Sequence, residues 1–326
     1  MGVVVALRAR DPHAGRRFLE ERFAALPADE RTSAVEALRE GLSPDDEALL
    51  TTALGDARAE VRRAAADMLA RLDGSALACR VAERTRPLLA NDGRHGLAVT
   101  LPAPQPGDPL DGIAGRPPKG VGERAWLLRT LVAHVRPERW TEWLGAEPGA
   151  LVTRALGSDE ARPILDGWID ATTRFGSRSW AAALLAAPGI TRVVAGLDPV
   201  RVLDALPHSE RADVVAHAAR TVDTTMLASL VERCPRPWSR PLTAAVFDVL
   251  AASFDDDDRS RAFDDLVRAA ARAAPPERAD ELAEWASDGE GVRPSLVAAI
   301  DTIRLRRRIH AAFAELGPVT DERDLR

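Results

Sequence analysis

Val61, Ala65, Met68, Leu69 and Leu72 recur at i, i+4, i+7, i+8 and i+11, a spacing that lines one stripe of an α-helix. Arg58, Glu60, Arg62, Arg63, Asp67 and Arg71 fill much of the remaining circumference, as the solvent side of an amphipathic helix requires. Upstream, Ser43 can cap a helix, Pro44 suits its first position, and Asp46 and Glu47 favour its positive N-terminal end. Gly55 then breaks the chain and Asp56 can cap the second helix. Residues 43–89 therefore read as two antiparallel helices, over 44–54 and 57–72, and the start of a third. Met68 falls in the core between the first two.

The rest of the chain repeats or interrupts this unit. Residues 12–25 carry Phe18, Leu19 and Phe23 at helical spacing, and Pro27 opens a helix whose Val35 and Leu38 face inward. No polar capping unit precedes them, so Val3, Val4, Val5, Leu7, Phe18 and Phe23 are expected to form an exposed apolar end, covered by a partner or by a longer solenoid. Pro87 predicts a kink or restart near Thr85. Residues 91–122 are rich in Pro and Gly, with Leu97, Val99 and Leu101 alternating as in a short strand or hairpin. Helices resume at Glu123, with Trp140, Trp143 and Leu144 forming a stripe after Pro137. Residues 209–233 pair with 239–253, and 254–287 with 292–316, whose Ile300, Ile303, Ile309 and Phe313 are expected inside. The expected division is 1–90 and 123–316 as helical repeats, 91–122 as an insertion, and 317–326 as a loose tail.

Composition excludes several classes. A net charge of −6 argues against a general nucleic-acid coat. Lys119 is the one lysine among 44 basic residues and tyrosine is absent, a bias that fits a GC-rich genome better than a phosphate-binding surface. Cys79 and Cys234 are far apart with no metal-type spacing, and their apolar helical surroundings predict two buried free thiols in a reducing compartment. No signal-peptide pattern or apolar run of membrane-spanning length occurs, so a soluble cytoplasmic protein is expected.

Chemistry-bearing patterns are sparse. In GRPPKGVG, residues 115–122, Lys119 precedes its glycine and two prolines remove donors, unlike a phosphate-binding loop. Asp255, Asp256, Asp257 and Asp258 are adjacent rather than alternating around a glycine, which suits a helix start better than a metal site. They do head a block, residues 254–291, in which twelve acids face five arginines. The six histidines show no metal spacing, and no nucleophile motif accompanies them. No cofactor, metal or catalytic set is therefore expected. Trp126, Trp140 and Trp143, with Asp159 or Asp166, would suit an alkylpurine DNA glycosylase of the HEAT-like kind, but no run of basic residues accompanies them. Packing at helix crossings explains those tryptophans as well.

Leu54, Asp56, Val61, Arg62, Ala65 and Ala66 form an L-x-D-x-x-x-x-V-R-x-x-A-A pattern that resembles a HEAT repeat. The resemblance implies an all-α fold, an α-solenoid of antiparallel helix pairs (HEAT/armadillo-like) with one long Pro/Gly-rich insertion. The order of landmarks also resembles an uncharacterised bacterial helical-repeat family. These landmarks are LSPDDEALLTTALGDARAEVRRAAADMLARLDGSALACR, then the insertion, then PPKGVGERAWLLRTLVAHVRPERWTEW. Members are encoded near a MoxR-type AAA+ ATPase and a von Willebrand A-domain protein. That resemblance implies a non-enzymatic scaffold or adaptor for a protein partner in such an assembly, and supplies no catalytic residues. Two local features are expected to meet the partner, Arg116 and Lys119 in the insertion and Asp255, Asp256, Asp257 and Asp258 in the acidic block. A nucleic-acid binder or glycosylase is the alternative.

Overall fold

The computed structural model describes residues 2–92, 96–105, 113–194, 198–255, 260–287 and 294–315. These are predominantly helical and fall into two compact units, Met1–Leu197 and Asp198–Arg326. Asp256, Asp257, Asp258 and the tail after Glu315 lie outside the described residues, as does the side chain of Asp255.

The first unit opens with α1 (Gly2–Arg10), α2 (Pro12–Arg22) and α3 (Ala28–Ala37), which pack on one another. Helices α4 (Glu47–Leu54) and α5 (Ala59–Arg71) form the expected pair, and α3 also lies against α5. Val61, Ala65, Met68, Leu69 and Leu72 are all buried, so the phase read from the sequence is the observed one. Ser43 and Asp46 make a reciprocal capping box at a 3-10 turn before α4. Asp56 does not cap α5. It accepts both arms of Arg31, at 2.7 and 3.1 Å, and the Arg58 N–H at 2.8 Å, while Arg58 takes the capping position.

The expected exposed apolar end is not formed. Val4 and Phe23 are buried, Leu7 and Phe18 are half-buried and Val5 is exposed, because α1 itself folds over α2 and α3; the side chain of Val3 lies outside the described residues. Arg8 anchors it there, 1% exposed. Nε donates to Glu40 O, Nη1 to Pro12 O and Asp46 Oδ1, and Nη2 to Leu38 O and Asp46 Oδ2, at 2.8 to 3.0 Å. All five guanidinium protons find acceptors.

Helix α6 (Ala76–Thr85) ends where Pro87 predicts, in a 3-10 turn. The chain then forms an antiparallel hairpin, β1 (Leu89–Asn91) with β2 (Leu97–Val99), Ala90 opposite Ala98. Beyond the insertion come α7 (Glu123–Ala133), α8 (Pro137–Leu144), α9 (Pro148–Leu156), α10 (Ala161–Phe175), α11 (Arg178–Leu185) and the single turn α12 (Ile190–Val193). Helices α7 and α10 are packed closely at Gly167, where a Cβ would stand 2.8 Å from Val132 Cβ and 2.9 Å from Arg129 O. Trp140, Trp168 and Trp180 are fully buried and stacked edge or tilted in series, with centroids 6.3 and 4.8 Å apart. They are core residues.

The second unit contains α13 (Pro199–Asp204), α14 (Arg211–Ala218), α15 (Thr224–Val231), α16 (Arg240–Asp255), α17 (Arg261–Ala273), α18 (Ala279–Ser287) and α19 (Pro294–Glu315). Each of the two long helical stretches expected at 209–233 and 254–287 is thus two helices. Ile300 and Ile303 are buried between α19 and its neighbours α17 and α18, as expected. Ile309 and Phe313 are not: they are 45% and 68% exposed. Among the described residues the helix runs past its neighbours, so its last turns keep their apolar stripe exposed. Cys234 is buried, but Cys79 sits on the solvent side of α6 and is exposed.

Candidate functional site

The polar faces of α3, α5, α7 and α10 converge, and residues 113–116 of the insertion close one side. The cleft between them has a volume of about 870 Å³, in the range of ligand-binding cavities. All of it belongs to the first unit.

Its floor is apolar, with Ala64 and Met68 from α5, Ile113 and Ala114 from the insertion, and Ala133 from α7. Trp126 fixes the insertion wall, donating from Nε1 to Ala114 O at 2.6 Å. The Arg129 guanidinium covers the face of that ring at 4.9 Å and is itself held by Asp170, Nη2 to Oδ2 at 2.8 Å. Trp126 is therefore a structural post with one face already occupied.

Asp67 is the electrostatic centre. Arg174 donates to it and to Ala133 O, Arg71 Nε lies 3.2 Å from Oδ2, and Arg39 Nη2 lies 3.8 Å away. Burial raises the affinity of this carboxyl for a proton, but the charges and hydrogen bonds of Arg174 and Arg71 outweigh it, and its pKa is lowered. Three guanidiniums sharing one carboxylate leave positive charge in excess. The Arg71 pKa is lowered accordingly, first by burial and in part by the nearby Arg39 and Arg174.

His134 closes the floor, buried beside this cluster. Its Nδ1 lies 2.7 Å from Thr130 O, which can only accept, so the neutral ring carries its proton on Nδ1. Burial, together with the charge of Arg174, lowers its pKa to about 3. It is held uncharged at neutral pH. Around the mouth stand Arg39, Arg63, Arg116, Glu36 and Glu60, all exposed.

Of the residues predicted to bind a partner, Arg116 lines this cleft, while Lys119 is exposed on the same segment and is not among the lining residues. Asp256, Asp257 and Asp258, and the side chain of Asp255, lie outside the described residues. The glycosylase set is not brought together. Trp140 is in the core with Trp143 edge-on at 5.1 Å. Asp159 lines a separate depression beside the hairpin. Asp166, its pKa raised by burial although Arg129 and Arg162 oppose this, is not among the residues lining the cleft. Among the described residues no group of three or more His, Cys, Asp or Glu is placed to hold a metal ion. Nor is any described helix long and apolar enough to cross a membrane. Arg39, Arg63, Asp67, Arg129, His134, Asp170 and Arg174 escaped sequence reasoning. Each reads locally as part of a solvated helix face, and only their convergence marks them.

The family described as a family of unknown function (DUF5691) matches this chain over residues 2–313. No curated protein and no solved structure matches it.

Proposed function

The chain belongs to the DUF5691 family, whose description names no activity, and we propose that it is a non-enzymatic helical scaffold or adaptor that binds a protein partner through its first unit. The observation that carries this is the cleft of about 870 Å³, whose acids and bases serve structure or surround an open mouth rather than flank a nucleophile. Asp67 and Asp170 are each engaged by arginine, and His134 is kept neutral by burial. The stacking of sequence neighbours, α3 on α5, α4 on α5 and α5 on α6, supports a HEAT-like solenoid layout for this unit. An ATPase-linked assembly of AAA+ and von Willebrand A-domain proteins, which the sequence resemblance implies, is the setting we propose. The acidic residues Asp255, Asp256, Asp257 and Asp258 offer a second contact for a basic patch.

The glycosylase alternative draws no support from the cleft, which mixes five arginines with four acids and whose Trp126 has one face covered by Arg129. The adaptor reading is tested by reciprocal purification of tagged chain and recovered partner from the native host, followed by association rates across a salt series. A stoichiometric protein complex whose association slows as salt rises is expected. Failure of any protein to co-purify in both directions would overturn it.

A further inference from the structure

The charge pattern inside the cleft goes further than the existence of a binding surface, and the inference drawn from it rests on the adaptor reading. Two positive stations lie along α5. At the level of Asp67, Arg39, Arg71 and Arg174 share a single carboxylate, so two positive charges there lack a counterpart. At the level of Arg63, the guanidinium reaches the backbone of Gly115, with Nη2 3.5 Å from where a Cβ would be. Gly115 precedes Arg116, and both arginines line the cleft. Neither Arg63 nor Arg116 has an acidic partner within ion-pair distance among the described residues.

Asp67 and Arg63 are one helical turn apart, which at 1.5 Å per residue is about 6 Å along the axis. An extended peptide places alternate side chains on one face about 6.6 Å apart. Acidic side chains at positions i and i+2 of one extended segment match that spacing. We propose that the cleft is a docking groove for an extended acidic segment of a protein partner, with acids at alternate positions meeting Arg39 and the Arg63–Arg116 pair.

A nucleic-acid strand would also carry repeated anions, but the observations favour peptide. Glu36 and Glu60 line the same cleft and would repel an unbroken phosphate backbone, while the neutral residue between two acids of a peptide tolerates them. Base stacking also needs a free aromatic face, and Arg129 already covers one face of Trp126.

The test uses the full chain and a fluorescein-labelled peptide of alternating Glu and Ala, read by anisotropy at low salt. Saturable binding is expected to the parent chain, with none for the matching Gln/Ala peptide. Arg63→Gln and Arg116→Gln should each weaken it about tenfold, the loss of one charge-assisted contact. Lys119→Gln, on the same segment but outside the groove, should change it less than about twofold. All three positions are exposed, so circular dichroism should report an unaltered fold. Absent binding, indifference to Arg63 and Arg116, an equal effect of Lys119, or tighter binding of a single-stranded oligonucleotide would each overturn the proposal. If the Arg63→Gln/Arg116→Gln chain still captures its partner at the parent rate, the groove is refuted and the adaptor reading stands. If the peptide binds but no partner co-purifies, the adaptor reading fails and the groove remains.

Discussion

Removing the Arg8 guanidinium should be among the most damaging single changes in the first unit. Arg8→Met keeps much of the side-chain stem that packs against Gly15 but strips five hydrogen bonds. Asp46, fully buried, would retain the Ser43 N–H at 3.0 Å and Arg16 at 3.9 Å as its remaining partners. Breaking a buried ion pair from one side costs about 3–5 kcal/mol, because the surviving charge stays desolvated. In a unit of this size each kcal/mol lowers the melting temperature by roughly 2–4 °C, so a fall of about 6–20 °C is expected. Asp46→Leu should cost a similar amount from the other side. The double variant removes both charges and leaves the carbonyls of Leu38, Glu40 and Pro12 short of a donor and the Ser43 N–H short of an acceptor. Its cost should therefore fall below the sum of the singles by about 2 kcal/mol or more. Scanning calorimetry of the four chains measures each quantity. Singles that cost under about 1 kcal/mol, or a double that equals their sum, would show that α1 is not held by this pair.

Three further outcomes follow from the packing and the titrating groups. Gly167→Ala should destabilise the first unit by about 1–3 kcal/mol, since its methyl would meet Val132 and the Arg129 carbonyl where α7 and α10 touch; an unchanged urea midpoint would refute the close approach. Between about pH 6.5 and its folded pKa of about 3, His134 takes up a proton only when unfolded, so stability should fall as pH drops through that window. The slope contributed by this group approaches about 1.4 kcal/mol per pH unit, and His134→Phe should remove that contribution in urea titrations. A disulfide reagent should modify exposed Cys79 quickly and Cys234 only on unfolding, because burial of the latter pushes its thiol pKa up to about 12; two fast equivalents would count against this.

What could be read in the chain beforehand was whatever depends on residues within a turn or two of each other. The stripe from Val61 to Leu72 determined α5 and its buried face, and Pro87 determined where α6 stops. Alternation at Leu97 and Val99 announced the hairpin strand. These are local signals, since a helix face or a turn is specified by spacing and backbone geometry alone. The same logic failed where a stripe outlasts its core. Ile309 and Phe313 keep helical phase with Ile303, yet nothing in that phase says how far the neighbouring helices extend. It failed again at Asp46, which reads as a helix-start acid but is the counter-charge of Arg8, 38 positions away. The candidate site is of that second kind. Asp67 and Arg174 sit on two helices and Arg39 in the turn after α3, each as an ordinary solvent-side charge, and no spacing within any one helix marks them. Only tertiary packing brings those polar faces together, because an electrostatic cluster depends on distance through space, which local periodicity does not encode.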